Sequence, residues 1–156
     1  MIPHYVQWIR ERVGKEKIIL NGSAGLVRDE QGRVLLQKRR DNGLWGFPGG
    51  IQELGESAAD TVRREFFEEV GLQVEPKRLI GIYSSPEFDL VHPNGDQVQI
   101  FVSFFECDVV GGELRAQEEE VLDMGWFSLD DLPPLVKCCQ AKAKDARVFT
   151  GEAFWR

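Results

Sequence analysis

Glu65, Glu68 and Glu69 stand a few residues behind Gly50 and Glu56, and their side chains are the ones in this chain most suited to metal and phosphate chemistry. At about 100° per residue the three carboxylates fall within an arc of roughly 100° on a helix, so all can reach one ligand. Like charges at this spacing repel by a few tenths of a kcal/mol per pair, and a helix's last turn disfavours negative charge further. Arg64 can pair with Glu68 one turn on, but one guanidinium does not neutralise three acids. A hard divalent cation does, because Mg²⁺ takes oxygen ligands and keeps waters or phosphate oxygens in its other positions. On their own, glutamates so spaced more often form a solvated face. The preceding Trp45-Gly-Phe-Pro-Gly-Gly50 reverses that balance. Its proline and glycines allow positive φ and close backbone approach, which puts carbonyl and amide groups beside the acids.

These residues need a helix and a turn to position them. Ser57 and Asp60 have the form of a capping box. Ala59, Val62, Phe66 and Val70 recur at helical spacing, and Gly71 supplies the stop. Elsewhere Lys17 to Val27 and Arg33 to Arg39 read as strands around the turn Asp29-Glu-Gln-Gly32. Val74 to Tyr83 is a further strand. Asn94-Gly95 marks a tight hairpin into Gln97 to Val110, where Val98, Ile100, Val102 and Phe104 alternate onto one face. Gly111-Gly112 closes the next turn, and Val121 to Phe127 is another strand. Leu129 to Cys139 predicts a helix start, with Pro133-Pro134 in its first turn. Tyr5 to Val13 is a short amphipathic helix that closes the core, covers the substrate or meets a second copy of the chain. Strands before and after one central helix predict an α/β fold, with helices on two faces of a mixed sheet.

Gly50, Glu56, Arg64-Glu65, the apolar Phe66, Glu68-Glu69, Gly71 and the apolar Leu72 match the signature of the Nudix hydrolases at every fixed position, without an insertion, over residues 50–72. Leu35-Leu36, Arg39 and the Trp45 to Gly49 run also resemble the approach to that signature, the Nudix box. The resemblance implies an α/β/α sandwich with a central mixed β-sheet and a loop, helix and loop at the box. It implies one domain over residues 1–156, with 1–15 as a helical extension. The implied activity is hydrolysis of a pyrophosphate bond in a nucleoside diphosphate derivative, by water attack on phosphorus. Glu65, Glu68 and Glu69 would be the principal Mg²⁺ ligands, with Glu56 and the Gly50 carbonyl as further contacts; Mn²⁺ is the alternative ion. Arg64 would orient a box carboxylate, and Glu68 would act at the reacting centre. Glu120, with Glu119 in reserve, would serve as base or added ligand, against the simpler alternative of a solvated acidic loop. Lys38-Arg39-Arg40 offers phosphate contacts, Arg40 among them, or simply caps a solvated strand edge; the resemblance favours the phosphate role for Arg39. Trp45 and Tyr83 are candidates for the nucleoside, as are Phe88, Phe101 and Trp126, although strand aromatics more often belong to the core. Pro86 lies near the position of a proline in some ADP-ribose-cleaving relatives, while nucleoside triphosphates and dinucleoside polyphosphates stay open. A nucleotide sensor without turnover is the alternative, ranked lower because every acid of the box is present.

With 156 residues, 42% hydrophobic and 29% charged, the chain suits one globular domain with a sizeable core. Its net charge of −7 argues against long nucleic acid or an anionic membrane as partner and leaves a small nucleotide-type substrate. No apolar stretch reaches the length of a membrane span, and Met1-Ile-Pro-His-Tyr opens no signal-peptide pattern. The cytoplasm is the expected compartment. Cys138 and Cys139 are too close to bridge without strain; with Cys107 they read as structural thiols in a reducing compartment.

Overall fold

A computed structural model describes residues 4–92 and 94–156; Met1, Ile2 and Pro3 of the predicted N-terminal extension lie outside the described residues. Helix α1 (His4–Val13) leads into β1 (Ile18–Leu26) and β2 (Val34–Arg39), followed by the short strands β3 (Trp45–Gly46) and β4 (Gly49–Ile51). The box helix α2 (Ala58–Val70) precedes β5 (Leu72–Tyr83), β6 (Leu90–Val91), β7 (Gln97–Gly112) and β8 (Val121–Phe127). The chain then forms α3 (Lys137–Val148) and β9 (Phe154–Trp155).

The larger sheet has the order β4-β1-β7-β5-β9, with β6 also on β7. It is mixed, since β1 runs parallel to β7 from Ile18↔Val98 to Leu26↔Glu106, whereas β5 is antiparallel to β7. A second sheet, β3-β2-β8, is antiparallel throughout. Alternation along the strands sends apolar side chains to both faces, so each face carries its own cluster. On one side Val62, Phe66 and Val70 of α2 pack with Val27, Leu35, Leu72, Val74 and Cys107. On the other, Cys139, Ala143 and Ala146 of α3 pack with Leu26, Leu36, Phe47, Ile80, Tyr83 and Phe104. The predicted α/β architecture with a central mixed sheet is the one observed. Among the described residues no helix is long and apolar enough to cross a membrane.

The two strands around the turn at Asp29 to Gly32 form as expected, and two other local outcomes differ from the sequence expectation. The strands on either side of Asp29 to Gly32 meet only at the Arg28↔Val34 bridge and then part, β1 into the larger sheet and β2 into the smaller. The Leu129 to Cys139 segment does not begin a helix at Leu129; α3 starts at Lys137. The proline segment pairs instead with the loop before the box: the Trp45 amide donates to the Pro134 carbonyl (3.0 Å) and the Val136 amide to the Trp45 carbonyl (2.9 Å). Tertiary pairing thus overrides a proline-led helix start. Strand β9 was not anticipated; it lies parallel to β5 at Gly81↔Phe154 and Ile82↔Trp155.

Candidate active site and its carboxylates

The box helix is stopped at both ends by its own sequence. The Ser57 side chain accepts from the Asp60 amide and Asp60 accepts from the Ser57 amide, which completes the predicted capping box. Gly71 takes φ 75°, a left-handed conformation suited to glycine, and its amide donates to the Phe67 carbonyl at 3.1 Å. Two more carbonyls of the last turn are taken by the following loop, Val70 from the Arg115 amide and Glu69 from the Gln117 amide, each at 2.9 Å. With the apolar stripe held on the sheet, Glu65 and Glu69 are buried at its border and Glu68 faces solvent.

Arg64 organises the outer acids. Its guanidinium donates to both Glu56 oxygens at 2.6 and 3.0 Å, to Glu65 at 2.8 Å and to Glu68 at 3.1 Å. It also donates to the Ile51 carbonyl at 3.0 Å, which ties the helix to the glycine turn. The expected Arg64 to Glu68 pair is present, but Glu56 is the stronger partner. Glu56 accepts in addition from the Glu53 amide and the Thr61 hydroxyl, both at 3.0 Å, and the Arg64 guanidinium holds its carboxyl below the usual range. Its oxygens are thereby spent on holding the loop to the helix.

The inner acids are less well compensated. Burial raises Glu65 against the opposing pull of Arg64. Glu69 is pushed up to about 7 by burial and then by the neighbouring Glu65 charge. It accepts from the Gly49 amide at 2.8 Å and from the Gln37 side chain, with Arg39 supplying more distant positive charge. The Gly50 backbone lies against the Glu65 carboxylate, which a Cβ there would displace. Among the described residues no three His, Cys, Asp or Glu side chains converge as a ready-made metal cluster. The five-member ligand set expected from sequence is therefore gathered at one end of the molecule without being closed, since Arg64 draws Glu56 and Glu68 to itself. What remains fits a hard divalent cation: two buried carboxylates pressed against a glycine backbone, with Glu68 at the rim and oxygen as the donor type throughout.

The other predicted residues divide. The Arg40 amide donates to the Glu120 carbonyl and its side chain to the Glu118 carbonyl, each at 2.9 Å. Because the same loop caps α2 through Gln117, the second acidic cluster is brought to the end of the box helix. The Glu120 amide is itself held by the Gln117 side chain at 2.8 Å. Arg39 makes a bidentate pair with Asp41 at 3.0 and 2.8 Å, while its charge still acts on Glu69. Trp45 packs its ring edge-on against Phe127 at 4.8 Å and anchors the glycine turn to the proline segment. Tyr83 falls on the core side of the choice left open by its sequence: it is buried, with its hydroxyl donating to Asp145 at 2.9 Å. Phe88 is buried against Tyr83 and Trp126 packs on the α2 cluster, whereas Phe101 is exposed. All three cysteines are free thiols, Cys107 in the α2 cluster and Cys139 in the α3 cluster. Gln37 is the site residue that sequence reasoning missed. Its signal was a polar side chain following Val34-Leu35-Leu36, two residues from Leu35 and so on the face that meets α2.

Comparison with known proteins finds relatives by sequence and by fold. The model of the NUDIX domain family matches residues 21–148. An ADP-ribose pyrophosphatase of Methanocaldococcus jannaschii is 39% identical over 112 residues, 70% of this chain and 62% of that protein. A MutT-like protein of Streptomyces ambofaciens is 35% identical over 70% of this chain and 64% of its own length. This chain thus spans a little under two thirds of these curated relatives. The crystal structure of an ADP-ribose pyrophosphatase from Streptococcus suis superposes with a TM-score of 0.65 at 30% identity, covering 88% of this chain and 97% of that one.

Proposed function

We propose a reaction from one premise: the chain belongs to the Nudix family. The reaction is hydrolysis of a pyrophosphate bond in a nucleoside diphosphate derivative, with water attacking phosphorus and with ADP-ribose or a nucleoside triphosphate as the substrate type. The observation that carries it is the succession along α2 of an arginine-braced loop at its start, two buried glutamates and the Glu118 to Glu120 loop over its last turn. ADP-ribose is placed first because two of the relatives described above bear that activity in their names.

Glu65 and Glu69, with Glu68 and the Gly50 carbonyl, would hold the divalent ion, Mg²⁺ in our account with Mn²⁺ as a substitute. When bound, such an ion supplies charge neutralisation at the diphosphate oxygens and lowers the pKa of the attacking water. Arg64 positions Glu65 and Glu68 and fixes the loop through Glu56 and Ile51. Arg39 and Arg40 border the acidic end and add positive charge for a phosphate. Glu120 takes a proton from water. We assign the chain to one domain acting in the cytoplasm on a small nucleotide, with α1 and its exposed Trp8 as the surface for a second copy.

Release of products from ADP-ribose, nucleoside triphosphates and dinucleoside polyphosphates, with Mg²⁺ and with excess chelator, tests this directly. Chelator-sensitive formation of a nucleoside monophosphate and ribose phosphate from ADP-ribose is expected. Binding without turnover across the panel would instead make the protein a nucleotide sensor. Glu120→Gln should lower turnover at saturating Mg²⁺ far more than it lowers metal-free stability; turnover near wild type removes Glu120 from the mechanism.

A further inference from the structure

Two buried oxygens near the inner acids have no partner. Ser23 is 1% exposed and Gln37 is 3% exposed, yet the Ser23 hydroxyl oxygen and the Gln37 side-chain carbonyl oxygen lack hydrogen bonds. Buried polar atoms are nearly always satisfied, because an unmatched one forfeits its hydration without return. Their positions point to a common cause. Ser23 of β1 lies directly across from Gly50 of β4, and side chains of paired residues project to the same face. On that face Gly50 has room only for the Glu65 carboxylate. Gly25, two residues on and on the same face as Ser23, abuts Val62 and Phe66 of α2. The Ser23 hydroxyl therefore looks from the sheet toward the helix face that carries Glu65. Gln37 reaches that helix from β2 of the other sheet and donates its amide to Glu69, leaving its carbonyl oxygen over.

Glu65 and Glu69 are one helical turn apart, so the strand side supplies two neutral oxygens opposite two anionic ones. We propose that Ser23 and Gln37 are oxygen donors to the cation held by Glu65 and Glu69, forming the inner wall of an all-oxygen divalent site. This rests on the metal role given to those glutamates above. A hydroxyl and an amide carbonyl are ordinary ligands for Mg²⁺, Mn²⁺ or Ca²⁺. The site spans both sheets and α2, so an ion there also fastens the two sheets to the box helix.

The experiment is calorimetric titration of the full-length, metal-free protein with Mn²⁺, together with Tm with and without Mn²⁺, for wild type, Ser23→Ala and Gln37→Met. The account expects Kd for Mn²⁺ to weaken at least threefold in each variant and the Mn²⁺-induced rise in Tm to shrink. Metal-free Tm of Ser23→Ala should hold or rise, because that substitution deletes an unmatched buried oxygen. Ser23→Ala is the decisive variant, since Gln37→Met also removes a hydrogen bond to Glu69. Wild-type binding with Ser23→Ala weakened less than threefold overturns the inference and leaves the metal role of Glu65 and Glu69 standing. A lower metal-free Tm in Ser23→Ala overturns it too, for it means that this oxygen is already satisfied without an ion. Absence of Mn²⁺ binding in wild type removes the metal role itself, and this inference with it.

Discussion

Two buried carboxylates on opposite faces of the sheet illustrate what separates a structural acid from a functional one. Asp145 of α3 is 5% exposed and Glu69 of α2 is 7% exposed, so burial does not distinguish them. Their partners do. Asp145 accepts from the Tyr83 hydroxyl at 2.9 Å and from the Arg156 guanidinium at 3.2 and 2.8 Å, a full complement that includes a counter-charge. Arg156 is in turn fixed by its backbone, which bonds Ile82, Ser84 and Ser85 and closes β9 onto β5. Glu69 has an amide, a glutamine and a neighbouring anion, and no cationic side chain within ion-pair distance among the described residues. A fold that lacked use for Glu69 would gain by replacing it, since an uncompensated buried charge is costly. The contrast fits Asp145 to holding the chain together and supports the metal role proposed for Glu69.

The comparison breaks most visibly at Asp145. Asp145→Ala leaves the buried Tyr83 hydroxyl without an acceptor and should cost about 1–3 kcal/mol in urea unfolding, with kcat per folded molecule unchanged. Loss of activity without loss of stability would reverse the assignment. A pH titration sharpens the other side. Glu69 binds its proton more tightly folded, with a pKa near 7 against an ordinary 4.5. Its protonated form therefore stabilises the metal-free fold fully below about 4.5, and that contribution fades as pH rises through 7. Over this window metal-free wild type should lose about 3 kcal/mol relative to Glu69→Gln, which has no such proton. Parallel pH curves for the two proteins would show that Glu69 titrates normally. Turnover comes next: Glu69→Gln and Glu68→Gln should each lower kcat about a hundredfold or more at saturating Mg²⁺. The smallest effect belongs to the helix end. Ser57→Ala removes the cap and should cost about 1 kcal/mol of stability while leaving metal affinity alone, unless the cap also sets the carboxylate positions.

The box region was the more legible of the two because its signals are local and agree. Capping box, apolar stripe and Gly71 all lie within fifteen residues, and each specifies the same helix. Periodicity puts Glu65, Glu68 and Glu69 beside that stripe, but which of them the sheet buries, Glu65 and Glu69, is decided by the packing. The α3 side was less readable because its structure is decided at long range. Pro133-Pro134 permits a helix start, but Trp45 needs that backbone for pairing and delays the helix to Lys137. Tyr83 and Asp145 are 62 residues apart, and neither announces the other in sequence. Gln37 and Ser23 were hidden for the same reason: each is an unremarkable strand residue until the strands are set against α2.

The most direct test is an anomalous difference map from a crystal of the protein soaked in Mn²⁺. We expect a peak bounded by the Glu65 and Glu69 carboxylates and the Gly50 carbonyl. A Mn²⁺ peak elsewhere, with Glu65 and Glu69 unchanged and the crystal still turning over substrate, would contradict the account.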